Sequence, residues 1–337
     1  MSSIYIHIPF CASKCPYCDF YSLCDFSRQA AYVNRCVEIL REHSTPWRTA
    51  YIGGGTPSVL APELLARLLA AIECEGEFTV ECNPTSVTPE FCRAIIEGGI
   101  NRVSMGVQSA VAAERKALGR SGDIEAVERA IEMLPVGNLS LDVMLGIPGQ
   151  TRQSAEKTLA FCAKYARHIS AYLLKIEPGT PFAAHPPAHL PEEDAQADLY
   201  LHACEWLEAH GFAQYEISNF AQPGHESRHN LNTWRCGEYF AVGPAAHGFT
   251  QGRRWHYPRD LAAFLRGGAP VDDGPGGDFE ERAMLALRLS EGFAGPTAQM
   301  RGRAKALPGL AEVNGNSIKL TREGFLLSNA VIGRLLG

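Results

Sequence analysis

Three cysteines near the start of the chain, Cys11, Cys15 and Cys18, form a CxxxCxxC motif. Thiolates at this spacing converge on one centre, and soft sulfur ligands select zinc or an iron–sulfur cluster. A structural zinc site needs a fourth ligand, and Cys24 lies too far along to extend the spacing. A [4Fe–4S] cluster held by three cysteines instead leaves one iron free for a ligand that is not protein. The motif therefore favours a cluster, with zinc and three packed free thiols as the alternatives.

A short strand places these thiols. Residues 4–8 alternate isoleucine with a tyrosine and a histidine, which is the period-2 pattern of a β-strand. Pro9 ends the strand because it has no N–H to donate. The cysteines are therefore expected on a loop just beyond the carboxyl end of a strand.

Motifs with polar or glycine residues follow the next predicted strands. The run Gly53-Gly54-Gly55-Thr56 comes after the second strand, and glycines there let backbone approach a ligand closely, although a plain turn is the alternative. Glu81 ends the third strand and Asp142 lies inside the fifth, where an unpaired carboxylate in an apolar segment is costly. These acids face a cleft or, for Glu81, pair with a nearby arginine.

The elements that carry these motifs alternate along the first 180 residues. Six strands that are each followed by a helix predict a parallel sheet, because parallel neighbours need a crossover connection. A closed barrel needs eight such units, two more than are found here. The sequence therefore predicts an α/β fold with an open parallel (β/α)6 partial TIM-type barrel, whose chemistry lies at the carboxyl ends of the strands. The predicted strands are 4–8, 50–52, 77–82, 102–107, 139–145 and 169–176, and the predicted helices are 27–43, 62–72, 88–96, 109 into the 130s, and 151–165.

The end of the chain has a different composition. A turn-rich stretch of glycine, proline and aspartate around 267–277 predicts a linker, and residues 280–289 and 318–336 predict a small, mainly helical module. The predicted domains are 1–235, 236–277 as a connecting segment, and 278–337.

Composition excludes several classes of function. The 337 residues are 46% hydrophobic and 20% charged with a net charge of −6, and no basic run predicts nucleic-acid binding. No apolar run approaches the roughly 20 residues of a spanning helix, which leaves only peripheral contact with a membrane open. Eleven cysteines without a signal peptide predict a cytoplasmic protein whose other thiols mostly pack in the core.

The cysteine motif resembles the signature of the radical S-adenosylmethionine (SAM) superfamily, which Cys11, Cys15 and Cys18 match one for one. The resemblance implies a [4Fe–4S] cluster whose fourth iron is chelated by SAM, an electron donor for that cluster, and reductive cleavage of SAM to a 5′-deoxyadenosyl radical. It also implies SAM contacts from Tyr5, Gly54, Gly55, Thr56, Glu81, Gln108, Arg120 and Asp142. For Arg120 a solvated cation at a helix end is the alternative.

Within that superfamily the chain resembles the HemW heme chaperone family. The resemblance spans nearly the whole sequence, through HIPFCASKCPYCDF, YIGGGTPS, ECNP, GINRVSMGVQS, DVMLGIPGQT, IEPGTPF, YEISNFAQPG, RHNLNTW and GPAAHGF. His229, Asn230 and Trp234 match the HNxxYW heme-binding motif of that family, with Thr233 in place of its tyrosine. A locally hydrogen-bonded histidine beside a core tryptophan is the alternative, and His247 is a secondary ligand candidate.

Two functions are consistent with these motifs. The first is a heme chaperone that binds the cluster, SAM and heme and delivers heme to acceptor proteins. The second is a catalytic radical SAM enzyme of the oxygen-independent coproporphyrinogen III oxidase type, acting on a tetrapyrrole. Those oxidases carry a further cysteine where this chain has Phe20, and a long extension where ten residues precede Cys11. The differences favour the chaperone over a coproporphyrinogen III dehydrogenase.

Overall fold

The computed structural model describes residues 3–43 and 46–337. Its strands are β1 (Ser3–Ile8), β2 (Trp47–Gly54), β3 (Cys74–Cys82), β4 (Arg102–Gln108), β5 (Leu139–Leu145), β6 (His168–Leu173), β7 (Ala213–Gln214), β8 (Asn219–Ala221), β9 (Tyr239–Val242), β10 (His247–Thr250), β11 (Arg253–His256), β12 (Val271–Pro275), β13 (Phe293–Ala294), β14 (Ala311–Asn314) and β15 (Ser317–Leu320). Its helices are α1 (Gln29–Arg41), α2 (Pro62–Leu69), α3 (Pro89–Glu97), α4 (Ala112–Ala117), α5 (Ile124–Met133), α6 (Arg152–Tyr165), α7 (Pro181–Ala184), α8 (Glu193–Ala209), α9 (Arg228–Trp234), α10 (Leu261–Leu265), α11 (Phe279–Ala286), α12 (Ala298–Lys305), α13 (Arg322–Leu326) and α14 (Ser328–Leu336).

One open sheet carries the large part of the chain. Its strand order is β12-β11-β10-β9-β1-β2-β3-β4-β5-β6-β8-β7, with β1 to β6 parallel in chain order and β9 parallel to β1 on the other side. Strands β10 to β12, and β8 and β7, pair antiparallel. The predicted α/β fold with an open parallel sheet is therefore confirmed, and all six predicted strands are present.

Local sequence explains where the helices begin. The Thr88 side chain accepts a hydrogen bond at the start of α3, and Thr151 forms a capping box with Ser154 at the start of α6. Strand β2 begins at Trp47, three residues before the prediction, because Trp47 and Thr49 pair with Cys74 and Glu77 of β3. Ile4, Ile6 and Ile8 of β1 are fully buried, so the central strand anchors the core between sheet and helices.

The C-terminal module packs around its own apolar cluster, which includes Met300, Ile318 and Leu335. A three-stranded antiparallel sheet, β13-β15-β14, accompanies its four helices. The module contacts the large sheet's edge, where the Ile217 amide donates to the Arg288 carbonyl at 3.0 Å. Within residues 3–43 and 46–337, no helix combines the length and apolar character needed to cross a bilayer.

The predicted turn-rich linker at 267–277 contains a strand, and the whole connecting segment 236–277 is part of the large sheet. It contributes β9 to β12 to the large sheet, including β12 at Val271–Pro275 inside the predicted turns. Pairing with β11 makes this Gly- and Asp-rich stretch a strand, because a tertiary partner overrides weak local propensity. The domain boundaries at 235 and 277 stay a prediction.

Candidate functional site

The carboxyl ends of the parallel strands open into a cavity of about 1100 Å³. Because neighbouring parallel strands end at one edge, residues far apart in sequence meet there. Six of the predicted site residues line this cavity: Tyr5, Gly54, Glu81, His229, Asn230 and Trp234. The structure thus brings three of the eight predicted SAM positions and all three predicted heme positions to a single space. The SAM positions that do not line it are Gly55, Thr56, Gln108, Arg120 and Asp142.

The three thiols lie on the loop after β1, are half-buried and form no disulfide with the described residues. The loop is tied at its base, where the Cys11 amide donates to the Leu23 carbonyl at 3.0 Å, and within itself, where the Cys18 amide donates to the Cys15 carbonyl at 3.1 Å. The Cys11 Sγ lies 3.3 Å from the Thr56 hydroxyl. These contacts fix the loop over the end of β2.

The sulfurs are not drawn together as a tetrahedral zinc site requires. The three thiol sulfurs do not all lie within 4.8 Å of one another. Zinc bonds to sulfur at about 2.3 Å, so a tetrahedral site draws its sulfurs to about 3.8 Å apart. Thiols from one loop that stay farther apart suit a larger centre, and Cys11, Cys15 and Cys18 would hold it.

Both the backbone conformation at position 54 and the nearby His7 ring require a glycine there. Its φ of +107° is disfavoured for residues with a side chain, and an added Cβ would lie 2.5 Å from the His7 ring. The Gly54 amide donates to the Glu81 carboxylate at 3.1 Å. The glycine run therefore lets β2 lie against β1 and β3 at the cavity wall, beyond its predicted role in approaching a ligand.

His7 and Tyr5 form a hydrogen-bonded pair on β1. Burial lowers the pKa of His7 to about 4, so the ring is neutral. Its Nε2 donates to the Tyr21 carbonyl at 2.8 Å, which leaves Nδ1 to accept from the Tyr5 hydroxyl at 3.0 Å. The tautomer is fixed, and the pair links the thiol loop to the cavity.

Two buried carboxyls lie on β3 and β5, on either side of β4. The Tyr51 hydroxyl donates to Glu81 at 2.7 Å, so the partners of Glu81 are a hydroxyl and the Gly54 amide rather than an arginine. Loss of water around the carboxyl raises the pKa of Glu81 to about 7. Asp142 accepts from Ser104 at 3.1 Å, and burial likewise raises its pKa to about 6. Each carboxyl therefore exchanges a proton near neutral pH.

Gln108 and Arg120 lie at the end of β4. Gln108 has a φ of +66°, which turns the chain away from the strand. The Arg120 guanidinium donates to the Gly106 carbonyl at 3.1 Å. Arg120 also lines a small cavity of about 50 Å³ together with Cys15 and Thr56. It therefore lies beside the thiol loop, and its guanidinium is not simply solvated.

A buried carboxylate holds the start of helix α9. Glu77 on β3 accepts from the Ser227 hydroxyl at 3.1 Å, the Arg228 amide at 2.9 Å and the His229 amide at 3.0 Å. The two amides are N–H groups that a helix start leaves unpaired. Arg102 lies beneath, with Nε 3.9 Å from Glu77. The position of His229 is therefore set by a residue 152 positions earlier.

The His229 ring has the tautomer of a metal-binding imidazole. The Thr49 hydroxyl donates to Ser3 at 2.7 Å, so its oxygen accepts from His229 Nδ1 at 3.0 Å. Burial lowers the pKa of His229 to about 3, which keeps the ring neutral. Within the part of the chain that the structure describes, Nε2 has no hydrogen bond, so its lone pair is free.

The other residues of the histidine motif line the same cavity wall. Asn230 and Trp234 are half-buried and line the cavity, and the Trp234 ring faces the Arg288 guanidinium at 5.9 Å. The Thr233 hydroxyl, where the family motif has a tyrosine, bonds back to the His229 carbonyl at 3.4 Å. Thr233 thus lines the same cavity, but its hydroxyl donates within the helix.

Sequence reasoning missed several residues of the site. They are His7, Thr49, Tyr51, Glu77 and Glu216. The available signal was alternation, since Thr49 and Tyr51 alternate with Ala50 and Ile52 on β2 and so face together. Nothing local marks Glu77, because its partners lie on α9.

Glu216 adds a prediction about pH. The side chain is buried in the cavity wall, and in residues 3–43 and 46–337 its Oε1 has no hydrogen-bond partner. Burial raises the pKa of Glu216 from 4.5 to about 7, so the folded protein binds this proton more tightly than the unfolded chain. The contribution of Glu216 to the free energy of unfolding is therefore fully present below about pH 4.5. It falls by up to about 1.4 kcal/mol per pH unit as the pH rises toward 7.

We expect Glu216→Gln to remove this slope. Urea unfolding between pH 4.5 and 8 measures it, and the difference between variant and wild type should grow in favour of the variant as the pH rises. Glu81 and Asp142 titrate in the same direction in both proteins, so the difference isolates residue 216. The exposed Glu205→Gln is the control. Parallel curves for Glu216→Gln and wild type would contradict the prediction.

The fold and the thiol loop together define a radical SAM protein. The pattern of the Radical SAM superfamily matches residues 5–162. The structure of coproporphyrinogen III oxidase (HemN) from Escherichia coli, a radical SAM enzyme, superposes with a TM-score of 0.82 over 99% of this chain and 89% of that chain, at 18% identity. That likeness shows the fold.

More similar sequences identify the family. The chain is 35% identical to heme chaperone HemW of Bacillus subtilis over the full length of both proteins. It is 36% identical to heme chaperone HemW of Escherichia coli, over 79% of this chain and 76% of that protein. The chain belongs to the HemW heme chaperone family of the radical SAM superfamily. Membership of the superfamily implies a [4Fe–4S] cluster and SAM as cofactors.

Proposed function

We propose that this protein is a radical SAM-type heme chaperone, which binds a [4Fe–4S] cluster, SAM and heme and delivers heme to acceptor proteins in the cytoplasm. Its relatives are named heme chaperones. The observation that carries the proposal is the neutral His229 ring, which has a free Nε2 and lies in the wall of a cavity of about 1100 Å³. Neutral imidazole is a common ligand of heme iron.

The proposed cofactor positions use the thiol loop and the neighbouring strand ends. Cys11, Cys15 and Cys18 hold the cluster, which when bound supplies an electron for cleavage of SAM. An electron-donor protein must reduce it. The residues proposed for SAM are Tyr5, Gly54, Gly55, Thr56, Glu81, Gln108, Arg120 and Asp142. Of these, Thr56 contacts Cys11, and Glu81 is held by the Gly54 amide.

Heme binding uses a different part of the same cavity. His229 is the proposed iron ligand, Trp234 packs on the macrocycle, and Asn230 lies beside them. Because Nδ1 is fixed by Thr49, the free Nε2 is oriented without further ordering. Heme and SAM in one cavity would let the state of one cofactor affect the binding of the other.

Heme titration tests the iron ligand. We expect His229→Ala to weaken heme binding at least tenfold and to shift the Soret band, because the axial nitrogen is lost. The matched control is His225→Ala, which removes a half-buried histidine four residues earlier that does not line the cavity. Unchanged affinity and spectrum in His229→Ala would contradict the ligand role.

The catalytic alternative has its own test. A chaperone incubated with coproporphyrinogen III, SAM and reductant should release no CO2 and form no protoporphyrinogen. In the same preparation, heme should pass to an added apo-acceptor, measured by the acceptor's own heme spectrum. Release of CO2 with formation of protoporphyrinogen would replace the proposed function with the oxidase reaction.

A further inference from the structure

Two histidines and an aspartate meet at the edge of the sheet, apart from the proposed cluster ligands and from His229. His247 on β10 lies directly opposite His256 on β11, and their rings stack with centroids 5.1 Å apart. Asp273 on β12 lies 2.9 Å from His256 Nδ1 through both carboxylate oxygens. Three neighbouring strands thus contribute one side chain each.

The backbone at Asp273 is irregular. The register of β11 with β12 shifts between Arg254 and Trp255, which pair with Gly274 and Asp272. Asp273 is therefore the extra residue of a β-bulge and has no partner on β11. Bulges re-aim side chains and are common beside functional sites.

The distances suit a metal ion. One ligand atom from each of the three residues lies within 4.8 Å of the other two, and no other group of three such residues in the described chain meets this criterion. Metal–nitrogen and metal–oxygen bonds of about 2.0–2.2 Å place ligand atoms about 3–3.5 Å apart. Small side-chain rotations of the exposed His247 and Asp273 close the remaining gap.

We propose that His247, His256 and Asp273 bind a divalent transition-metal ion through two imidazoles and one carboxylate. This ligand set selects zinc, cobalt, nickel or iron over the oxygen-loving magnesium and calcium. The ion comes from solution and not as the iron of a porphyrin, because a porphyrin leaves only two axial positions and the site offers three ligands. The proposal does not depend on the proposed heme function.

The site has a clear place in the molecule. His247 and His256 also line the cavity of about 1100 Å³, so a bound ion would lie at its rim with its remaining coordination positions open. The ion would join β10, β11 and β12. It would thereby fix the cavity wall formed by the edge strands.

Cobalt(II) is the probe. Protein with a reconstituted cluster, so that the motif cysteines are occupied, is titrated anaerobically with Co²⁺ and followed by visible absorption. We expect one Co²⁺ per chain with weak d–d bands and no sulfur-to-cobalt charge transfer, displaced by Zn²⁺. His256→Ala and Asp273→Asn should each weaken binding at least tenfold.

The matched control is His202→Ala. His202 Nε2 lies 2.7 Å from Glu156, so it pairs one histidine with one carboxylate but lacks the second histidine. Its loss should leave Co²⁺ affinity unchanged. His247→Ala, at an exposed position, provides a second variant, and cluster absorbance reports that each protein is folded. No binding by the wild type, sulfur charge transfer at the bound cobalt, or full binding by His256→Ala or His247→Ala would overturn the proposal.

Discussion

Glu77→Ala is expected to destabilise the protein by about 3–5 kcal/mol, because it leaves a buried charge without its partner. Arg102 is 2% exposed, and two of its guanidinium nitrogens have no hydrogen bond to the described residues. The Glu77 carboxylate, 3.9 Å away, is the charge that compensates it. Removal of the Glu77 carboxylate also leaves the Arg228 and His229 amides at the start of α9 without a hydrogen-bond acceptor.

Urea unfolding of the wild type and of Glu77→Ala measures the loss in the free energy of unfolding. Glu75→Ala is the matched control, since Glu75 lies two residues earlier on β3 and is exposed. If Glu77→Ala does not fold, Glu77→Gln retains the shape and still leaves Arg102 without a charge. A destabilisation of either Glu77 variant within about 1 kcal/mol of the Glu75 control would show that the buried pair is not what holds α9.

The same variant connects stability to the proposed heme site. His229 takes its position from Glu77 at its backbone and from Thr49 at its ring. Glu77→Gln should therefore weaken heme binding even though Glu77 does not line the cavity. Glu77 is a positioning residue, and its variant should keep the cluster spectrum, because the thiol loop lies beyond a different strand.

The sequence predicted the parts of the site that short motifs encode. The thiol loop, the glycine run at the end of β2 and the histidine motif each lie within a few residues. The cysteine spacing itself favours a cluster, whereas the resemblance to a known family supplies the predicted roles of the other two. The six parallel strands follow from alternation of strand and helix patterns, and the structure confirms them.

The remaining features depend on tertiary contacts. Thr49 contacts His229 across 180 residues, and Glu77 contacts Ser227 across 150. Strand β9 pairs with β1 although more than 230 residues separate them in sequence. No local pattern encodes such partners, because they arise only when the sheet assembles. The short strand β12 was missed for the same reason.

Cys15→Ser is expected to abolish the cluster, so that iron falls from about four per chain to near zero after anaerobic reconstitution. Serine keeps the size of the side chain but offers a hard, protonated oxygen where the centre needs a soft thiolate. Cys11→Ser and Cys18→Ser should behave alike, since all three thiols are half-buried on one loop. Iron and sulfide analysis with EPR measures the result.

Cys24→Ser is the control that makes this prediction specific. Cys24 is an exposed free cysteine six residues beyond Cys18, and its loss should leave iron content unchanged. Because three thiolates leave one iron open, SAM should then alter the EPR spectrum of both the wild type and Cys24→Ser. Loss of the cluster in Cys24→Ser, or a spectrum that SAM does not change, would indicate a fourth protein ligand. The open iron position would then be lost, and SAM could not be bound there.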